Sequence, residues 1–101
     1  MPSLDWDNRN LAHIAHHRVS PEEVEQVLAN GPFEIEVDIR DGELRRVLLG
    51  ESSTGRILIV VITEVDDKAR VVTAWPAKAR LRAFWRTQRR GKFHGEEIDF
   101  S

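Results

Sequence analysis

The sequence predicts an α+β domain in which two helices precede, and one helix follows, a mainly antiparallel sheet of four or five strands. Apolar residues recur at helical spacing up to residue 30, and from Phe33 onwards they alternate with polar residues, as in a strand. Turn signals then separate four such segments before a last, arginine-rich helical segment. Strands joined by short turns form antiparallel sheets with helices segregated to the sides.

A short strand and a helix are predicted at the beginning of the chain. Leu4 and Trp6 are expected to lie on the strand. Asp7 or Asn8 then caps a helix of about Arg9 to His17, whose apolar residues form one stripe.

The second helix has strong start and stop signals. Ser20 suits the N-cap, Pro21 suits the first helical position, and Glu23 completes a capping box. Asn30-Gly31-Pro32 ends the helix, because glycine accepts the left-handed cap conformation and proline cannot continue a helix.

Four further strands are predicted. The first alternates apolar with charged residues and is expected to have one wet face, whereas the third is a continuous apolar run expected to be covered on both faces. The four segments are Phe33–Arg40, Leu44–Glu51, Arg56–Glu64 and Arg70–Trp75.

The turn at Asp41-Gly42 fixes the position of an arginine. This dipeptide favours a two-residue type I′ hairpin, which places Val37 opposite Arg46. Arg46 then lies on the apolar face of the hairpin, where a charge needs a partner or a functional surface. The alternative is a bulge that rotates Arg46 outward.

The last helix is predicted over about Ala77 to Arg90, after Pro76 and before Gly91. Its basic side chains recur at spacings of three and four, which places them on one face. A cluster of this kind suits phosphate contacts, and a solvated helix face is the alternative.

Charge is distributed unevenly along the chain. Residues 1–77 carry a net charge of −6, residues 78–92 carry +7 and residues 93–101 carry −3. The cationic block indicates a polyanion or an acidic protein as partner. We predict one domain over residues 1–92, followed by an acidic C-terminal tail over residues 93–101.

Composition and hydropathy argue against several classes of protein. The longest apolar run has six residues, Ile57–Ile62, far below the roughly 18 that a membrane span needs. The first residues carry no basic segment of the kind that begins a secretory signal. Because there is no cysteine, thiol catalysis and thiolate metal sites are excluded. A cytoplasmic protein without a membrane partner is expected.

Histidines on the first helix are candidates for proton transfer. His13 and His17 are four residues apart and share one helix face with Asn10, and imidazole exchanges protons near neutral pH. The same spacing suits a zinc pair, but no glutamate lies between the histidines and no third ligand has motif spacing. A structural role for both histidines is the third interpretation.

Glu64 ends the apolar strand and is expected near Arg70 across the next turn. The two form either a cross-strand ion pair worth under about 1 kcal/mol or part of a functional site. Arg56 lies eight residues before Glu64, roughly 26 Å away at about 3.3 Å per residue, so these two cannot act on one atom. Trp75, just before a proline, is a candidate for stacking on a nucleobase, and packing in the core is the alternative.

An ordered set of motifs resembles the BrnT family of type II toxins, over roughly Leu4 to Gly91. The resemblance implies a RelE-like fold, RNA cleavage without a metal or other cofactor, neutralisation by a BrnA-type antitoxin, and binding of operator DNA only through the toxin–antitoxin complex. The matching segments are Trp6-Asp7, Asn10–Ala15 with His17, Val19–Val24, Gly50, Gly55–Leu58, Thr63-Glu64 and Val72–Ala74.

Two positions depart from the family pattern. Val65 and Trp75 stand where family members often carry arginine. Either neighbouring cations replace the missing arginines, or catalysis is weakened.

The residues and the resemblance together predict a metal-independent endoribonuclease toxin that cleaves RNA by attack of the 2′-hydroxyl. The alternative is a catalytically weakened relative that acts as a protein- or nucleic-acid-binding module. RNA and a BrnA-like antitoxin are the expected partners, and a homodimer is left open. The expected catalytic residues, in one shared groove, are His13, His17, Arg46 and Glu64, and the expected RNA contacts are Asn10, Arg56, Arg70, Trp75, Lys78, Arg82 and Arg86.

Overall fold

The computed structural model describes residues 3–65 and 68–94 and has the predicted α+β architecture. The last helix passes Gly91, its predicted end, and continues to His94. The predicted tail beyond His94 lies outside the described residues. None of the described helices is long and apolar enough to cross a membrane. The elements in chain order are β1 (Ser3–Asp5), α1 (Asn8–His16), α2 (Pro21–Ala29), β2 (Phe33–Arg40), β3 (Glu43–Glu51), β4 (Ile57–Val65), β5 (Lys68–Pro76) and α3 (Ala79–His94).

The strands form one sheet in the order β1-β5-β4-β3-β2. The pairs β2–β3, β3–β4 and β4–β5 are antiparallel, whereas the short strand β1 runs parallel to β5. The apolar strand β4 lies in the middle of the sheet and is buried along most of its length, as predicted from its composition.

The helix-capping and turn signals of the sequence are confirmed by the hydrogen bonds and backbone angles of the structure. The Ser20 hydroxyl accepts a hydrogen bond from the Glu23 backbone N–H at 3.1 Å, and the Glu23 carboxylate accepts one from the Ser20 N–H at 3.0 Å. Asp41 and Gly42 have φ angles of 53° and 78°, which confirms the predicted type I′ turn. Gly31 adopts φ 77° just beyond α2, as expected for the residue that ends the helix.

Each face of the sheet has its own core. Helices α1 and α2 cover the face that we call the helix-pair face, whereas α3 packs on the opposite face, the α3 face. The helix-pair core is built around Ile14, Val24, Val27, Leu58, Val60 and Val71. The α3 core is built around Leu49, Ile57, Ile59, Ala77 and Trp85.

Strand β2 departs from the predicted pattern. One apolar face was expected to be covered, but Val37 is 48% exposed and Ile39 is 70% exposed. The cause is the position of the helices, because α1 packs mainly on β5 and α2 packs mainly on β3 and β4, away from this edge strand. A register shift between Glu34 and Glu36 also divides the apolar residues of β2 between the two faces.

Close packing of α2 on β3 requires glycine at position 50. A Cβ atom on Gly50 would lie 2.7 Å from Val27 Cγ1 and 3.2 Å from Pro32 Cβ. We expect Gly50→Ala to lower the free energy of unfolding by about 1–3 kcal/mol, because the core must shift to accept it. Urea unfolding measures this change.

Gly42→Asn is the control for that measurement. Gly42 has φ +78°, but a Cβ atom added there would have no neighbouring atom within 4 Å, and asparagine tolerates the left-handed region. Its expected loss is under about 1 kcal/mol. A larger loss at Gly42 than at Gly50 would contradict the packing described here.

Candidate functional site

A cleft of about 780 Å³ opens between the beginning of α1 and the α3 face of the sheet. Helix α1 lies at the β5 side of the sheet, so one of its flanks packs into the helix-pair core while another reaches the cleft. The cleft combines three arginines and a histidine with two carboxylates. Its polar lining is Asp7, Asn8, Arg9, Asn10 and His13 from the N-terminal segment, and Glu43, Arg45, Thr63 and Arg70 from the sheet.

The floor of the cleft is a row of polar side chains across three strands. Arg45 on β3 is paired with Thr63 on β4, which is paired with Arg70 on β5. Directly opposed residues have Cβ atoms about 5 Å apart, so two guanidinium-bearing side chains flank one hydroxyl. This spacing suits an anion with several oxygens, such as a phosphodiester.

Two nitrogen donors in the cleft are buried without a hydrogen-bond partner in the described part of the chain, namely Asn10 Nδ2 and Arg45 Nε. Asn10 is only 6% exposed. Its backbone N–H donates to the Asp7 carboxylate at 2.8 Å, which fixes the beginning of α1. An unpaired buried donor costs about 1–3 kcal/mol, so either side chain would gain from a movement that brings its nitrogen to an acceptor.

The contacts of His13 determine which ring nitrogen can accept a proton. Its Nδ1 lies 3.3 Å from the backbone oxygen of Val72. A carbonyl oxygen only accepts, so Nδ1 carries the hydrogen in this contact and donates it. In the neutral ring, Nε2 then holds the free lone pair, which suits a proton acceptor.

His17 lies outside the cleft lining. It is the C-cap residue of α1, and its ring centroid is 5.2 Å from that of His16 and 6.3 Å from that of Trp75. Trp75 is half-buried and packs against the α3 core. These rings therefore lie about one helical turn beyond His13, next to the cleft rather than in it.

Arg46 and Glu64 lie on the opposite, helix-pair face of the sheet. The predicted register of Val37 opposite Arg46 is confirmed, and the partner that a charge there requires is present. Arg46 Nε donates to Glu34 at 2.6 Å, and Arg46 Nη1 donates to Glu64 at 2.9 Å. The hydrogen bond to Glu34, reinforced by Glu64, raises the pKa of Arg46 above its ordinary value despite partial desolvation. Two carboxylates therefore neutralise this guanidinium.

The structure does not bring the four expected catalytic residues into one groove. Consecutive residues of a strand project from opposite faces, so Arg45 reaches the cleft and Arg46 does not. The same alternation separates Thr63 from Glu64. Of the expected catalytic set, His13 alone is among the residues that line the cleft.

Glu64 and Arg70 were predicted to lie close together across the turn, but the register between β4 and β5 separates them. Glu64 is opposite Ala69, and Arg70 is opposite Thr63. The β4–β5 turn is one residue shorter than the sequence suggested, and a slip of one residue moves a side chain to the other face. Arg70 therefore joins the cleft on the α3 face.

Arg56 supports the fold away from the cleft. Its Nη1 donates to the Glu23 carboxylate at 2.8 Å and to the Arg18 backbone oxygen at 3.0 Å. Since Glu23 also caps α2, this arginine connects β4 to the beginning of that helix.

The basic residues of α3 lie outside the cleft lining as well. Arg82 Nη1 donates to the Ala77 backbone oxygen at 2.8 Å, which ties it to the beginning of the helix. Lys78, just before α3, and Arg86 are exposed and accessible to a polyanion. Trp85 anchors the helix, since its Nε1 donates to Glu51 at 2.9 Å.

Sequence reasoning missed Arg45 and Thr63. Arg45 stands between Leu44 and Arg46, and no local motif marks it as a site residue. The available signal was Thr63, the first polar residue after six apolar ones, facing arginines on both neighbouring strands.

Among the described residues, no group of three or more His, Asp or Glu side chains could hold a metal ion.

The chain matches the model of a known protein family. A family model described as "Ribonuclease toxin, BrnT, of type II toxin-antitoxin system" matches residues 6–80, about three quarters of the chain. All the cleft residues fall inside this range, whereas most of α3 lies beyond it. No curated protein matches the chain.

Proposed function

The chain belongs to the BrnT family of ribonuclease toxins of type II toxin–antitoxin systems, and from this premise we propose that it cleaves RNA in the cleft beside α1, without a metal. We further propose that it acts in the cytoplasm and is neutralised by a BrnA-like antitoxin. The observation that carries the proposal is the polar row Arg45–Thr63–Arg70, which faces a histidine with a free Nε2.

Cleavage begins at the ribose 2′-hydroxyl. His13 Nε2 takes its proton, the 2′-oxygen bonds to phosphorus, and the bond from phosphorus to the 5′-oxygen breaks. The leaving 5′-oxygen takes a proton from water, which reaches the open cleft. The products are a 2′,3′-cyclic phosphate and a 5′-hydroxyl.

The cations act on the phosphate during this step. Negative charge grows on the phosphate oxygens as the 2′-oxygen attacks, and Arg45 and Arg70 offset it from two sides. The Asn10 Nδ2 and the Arg45 Nε are buried without a partner in the described residues, and a shift of either side chain towards the cleft would let it donate to a phosphate oxygen. Donors fixed where charge develops lower the barrier most, because they need no reorganisation.

Cleavage of RNA in the presence of EDTA tests the proposed function. We expect the purified protein to cut single-stranded RNA, to leave 2′,3′-cyclic phosphate ends, and to spare DNA of the same sequence, which lacks the attacking hydroxyl. Induced expression is expected to arrest growth.

Two results would contradict the proposal. Cleavage that stops with EDTA and returns with a divalent cation would make the enzyme metal-dependent. RNA binding without cleavage or toxicity would support the catalytically weakened binding module instead. Val65 and Trp75, which stand where family members often carry arginine, would then be the first residues to replace by arginine.

A further inference from the structure

Most of the exposed large hydrophobic side chains lie at the β2 edge of the sheet. Five of the six in the described residues belong to the β2–β3 hairpin, and the sixth, Phe84 of α3, meets Phe33 with ring centroids 5.3 Å apart. Val37, Ile39 and Leu44 lie together on the helix-pair face, and exposed apolar surface of this kind marks interaction sites. The hairpin residues are Phe33, Ile35, Val37, Ile39 and Leu44.

Strand β2 also has a free backbone edge. It is the terminal strand of the sheet, and no strand in the described part of the chain pairs with its outer side. Eight residues long, it offers a row of N–H and C=O groups to another extended chain. The N–H of Ile39 is the exception, because it donates to the Asp38 carboxylate at 2.8 Å.

The side chains of this edge alternate in chemistry between the two faces. On the helix-pair face stand Val37 and Ile39, paired with Arg46 and Leu44. On the α3 face stand Glu36 and Asp38. With Glu34 and one arginine, Arg40, the strand carries a net charge of −2.

We propose that β2 is the docking edge for an extended segment of a partner protein, in which apolar residues alternate with lysine or arginine. Strand addition satisfies the free backbone groups of β2. Apolar side chains of the partner then cover Val37 and Ile39. A basic side chain of the partner meets Glu36, and a second one shares the Asp38 carboxylate with Arg40, whose Nε donates to it at 3.0 Å. An antitoxin would supply such a segment, and in that role the inference rests on the proposed function.

Charge favours a different protein over a second copy of this chain. Two β2 strands paired edge to edge bring two strands of net charge −2 together, and like charges directly opposite each other are destabilising. The edge contributes no residue to the cleft lining. Because Asp38 lies opposite Arg45, docking and cleavage are compared on the wild-type protein.

Amide NMR of the labelled protein with synthetic peptides tests the inference. One peptide has eight residues of alternating valine and lysine, to match the length of β2, and the other has alternating valine and glutamate. Titrated to about 1 mM, because isolated strand segments bind weakly, the lysine peptide is expected to shift β2 amides. Its affinity should exceed that of the glutamate peptide roughly tenfold.

Charge reversal on β2 is the matched variant. Glu36→Lys with Asp38→Lys is expected to reverse the preference in favour of the glutamate peptide, whereas Glu22→Lys, on an exposed position of α2, is expected to leave it unchanged. The amide spectrum shows whether each variant is folded. Glu36→Gln alone, at an exposed side chain, should reduce the preference if the double variant does not fold.

Four outcomes would overturn the inference. Three of them concern the peptides: no shift of β2 amides, shifts confined to another surface, and equal affinity for both peptides. The fourth is a dimer, detected by sedimentation, in which the β2 amides are protected; it would assign the edge to a second copy of the chain. RNA cleavage is assayed on the wild-type protein of the same preparation. If the protein cleaves RNA but does not bind the lysine peptide, only the inference about β2 is rejected. If it binds the peptide but does not cleave RNA, only the proposed function is rejected.

Discussion

His13→Asn is expected to slow RNA cleavage by about 10²- to 10⁴-fold, the contribution of a positioned proton-transfer group. The asparagine amide can still donate to the Val72 backbone oxygen, as Nδ1 does in the structure. It has no counterpart of Nε2, so only the acceptor of the 2′-hydroxyl proton is removed. Single-turnover cleavage with excess protein isolates the chemical step from RNA binding.

The neighbouring histidines are the controls for this variant. His16 is exposed on the same helix and does not line the cleft, so His16→Asn is expected to change the rate by less than about twofold. The sequence predicted a catalytic role for His17, whereas the structure places it beside Trp75. His17→Asn distinguishes these two interpretations. A larger loss at His17 than at His13 would move proton transfer out of the cleft.

Periodicity and turn chemistry were sufficient to predict most of the fold. The capping box at Ser20 and the type I′ turn at Asp41 each depend on residues close together in sequence, and both are present. The exposure of β2 could not be read from its alternation, because coverage depends on where α1 and α2 pack. That position is a property of the tertiary structure rather than of the strand.

The site was harder to predict because it depends on register. The hairpin loop at Asp41-Gly42 predicted the position of Arg46 correctly, yet it is the neighbouring Arg45 that lines the cleft. The β4–β5 turn has no equally specific signal, and one residue of difference there moved Arg70 to the face opposite Glu64. Only the fold of α1 against the sheet then brings His13 to the same cleft.

Arg45→Gln is expected to reduce cleavage by about 10²- to 10³-fold, as for loss of one fixed donor to a developing oxyanion. Glutamine can still donate a hydrogen bond but cannot offset charge. RNA affinity should also weaken, and its dependence on salt should become less steep, because one phosphate contact is lost. Circular dichroism and thermal unfolding show whether the variant keeps its fold.

The adjacent arginines on the two faces test the central claim most directly. Arg46→Gln breaks ion pairs with Glu34 and Glu64 that are about one-third exposed, so a stability loss of roughly 1 kcal/mol or less is expected. The decisive measurement is the single-turnover rate of RNA cleavage by Arg45→Gln and by Arg46→Gln, side by side, in EDTA. We predict a loss of at least about 10²-fold for Arg45→Gln and less than about threefold for Arg46→Gln. The reverse order, with both variants folded, would contradict the assignment of the active site to the cleft.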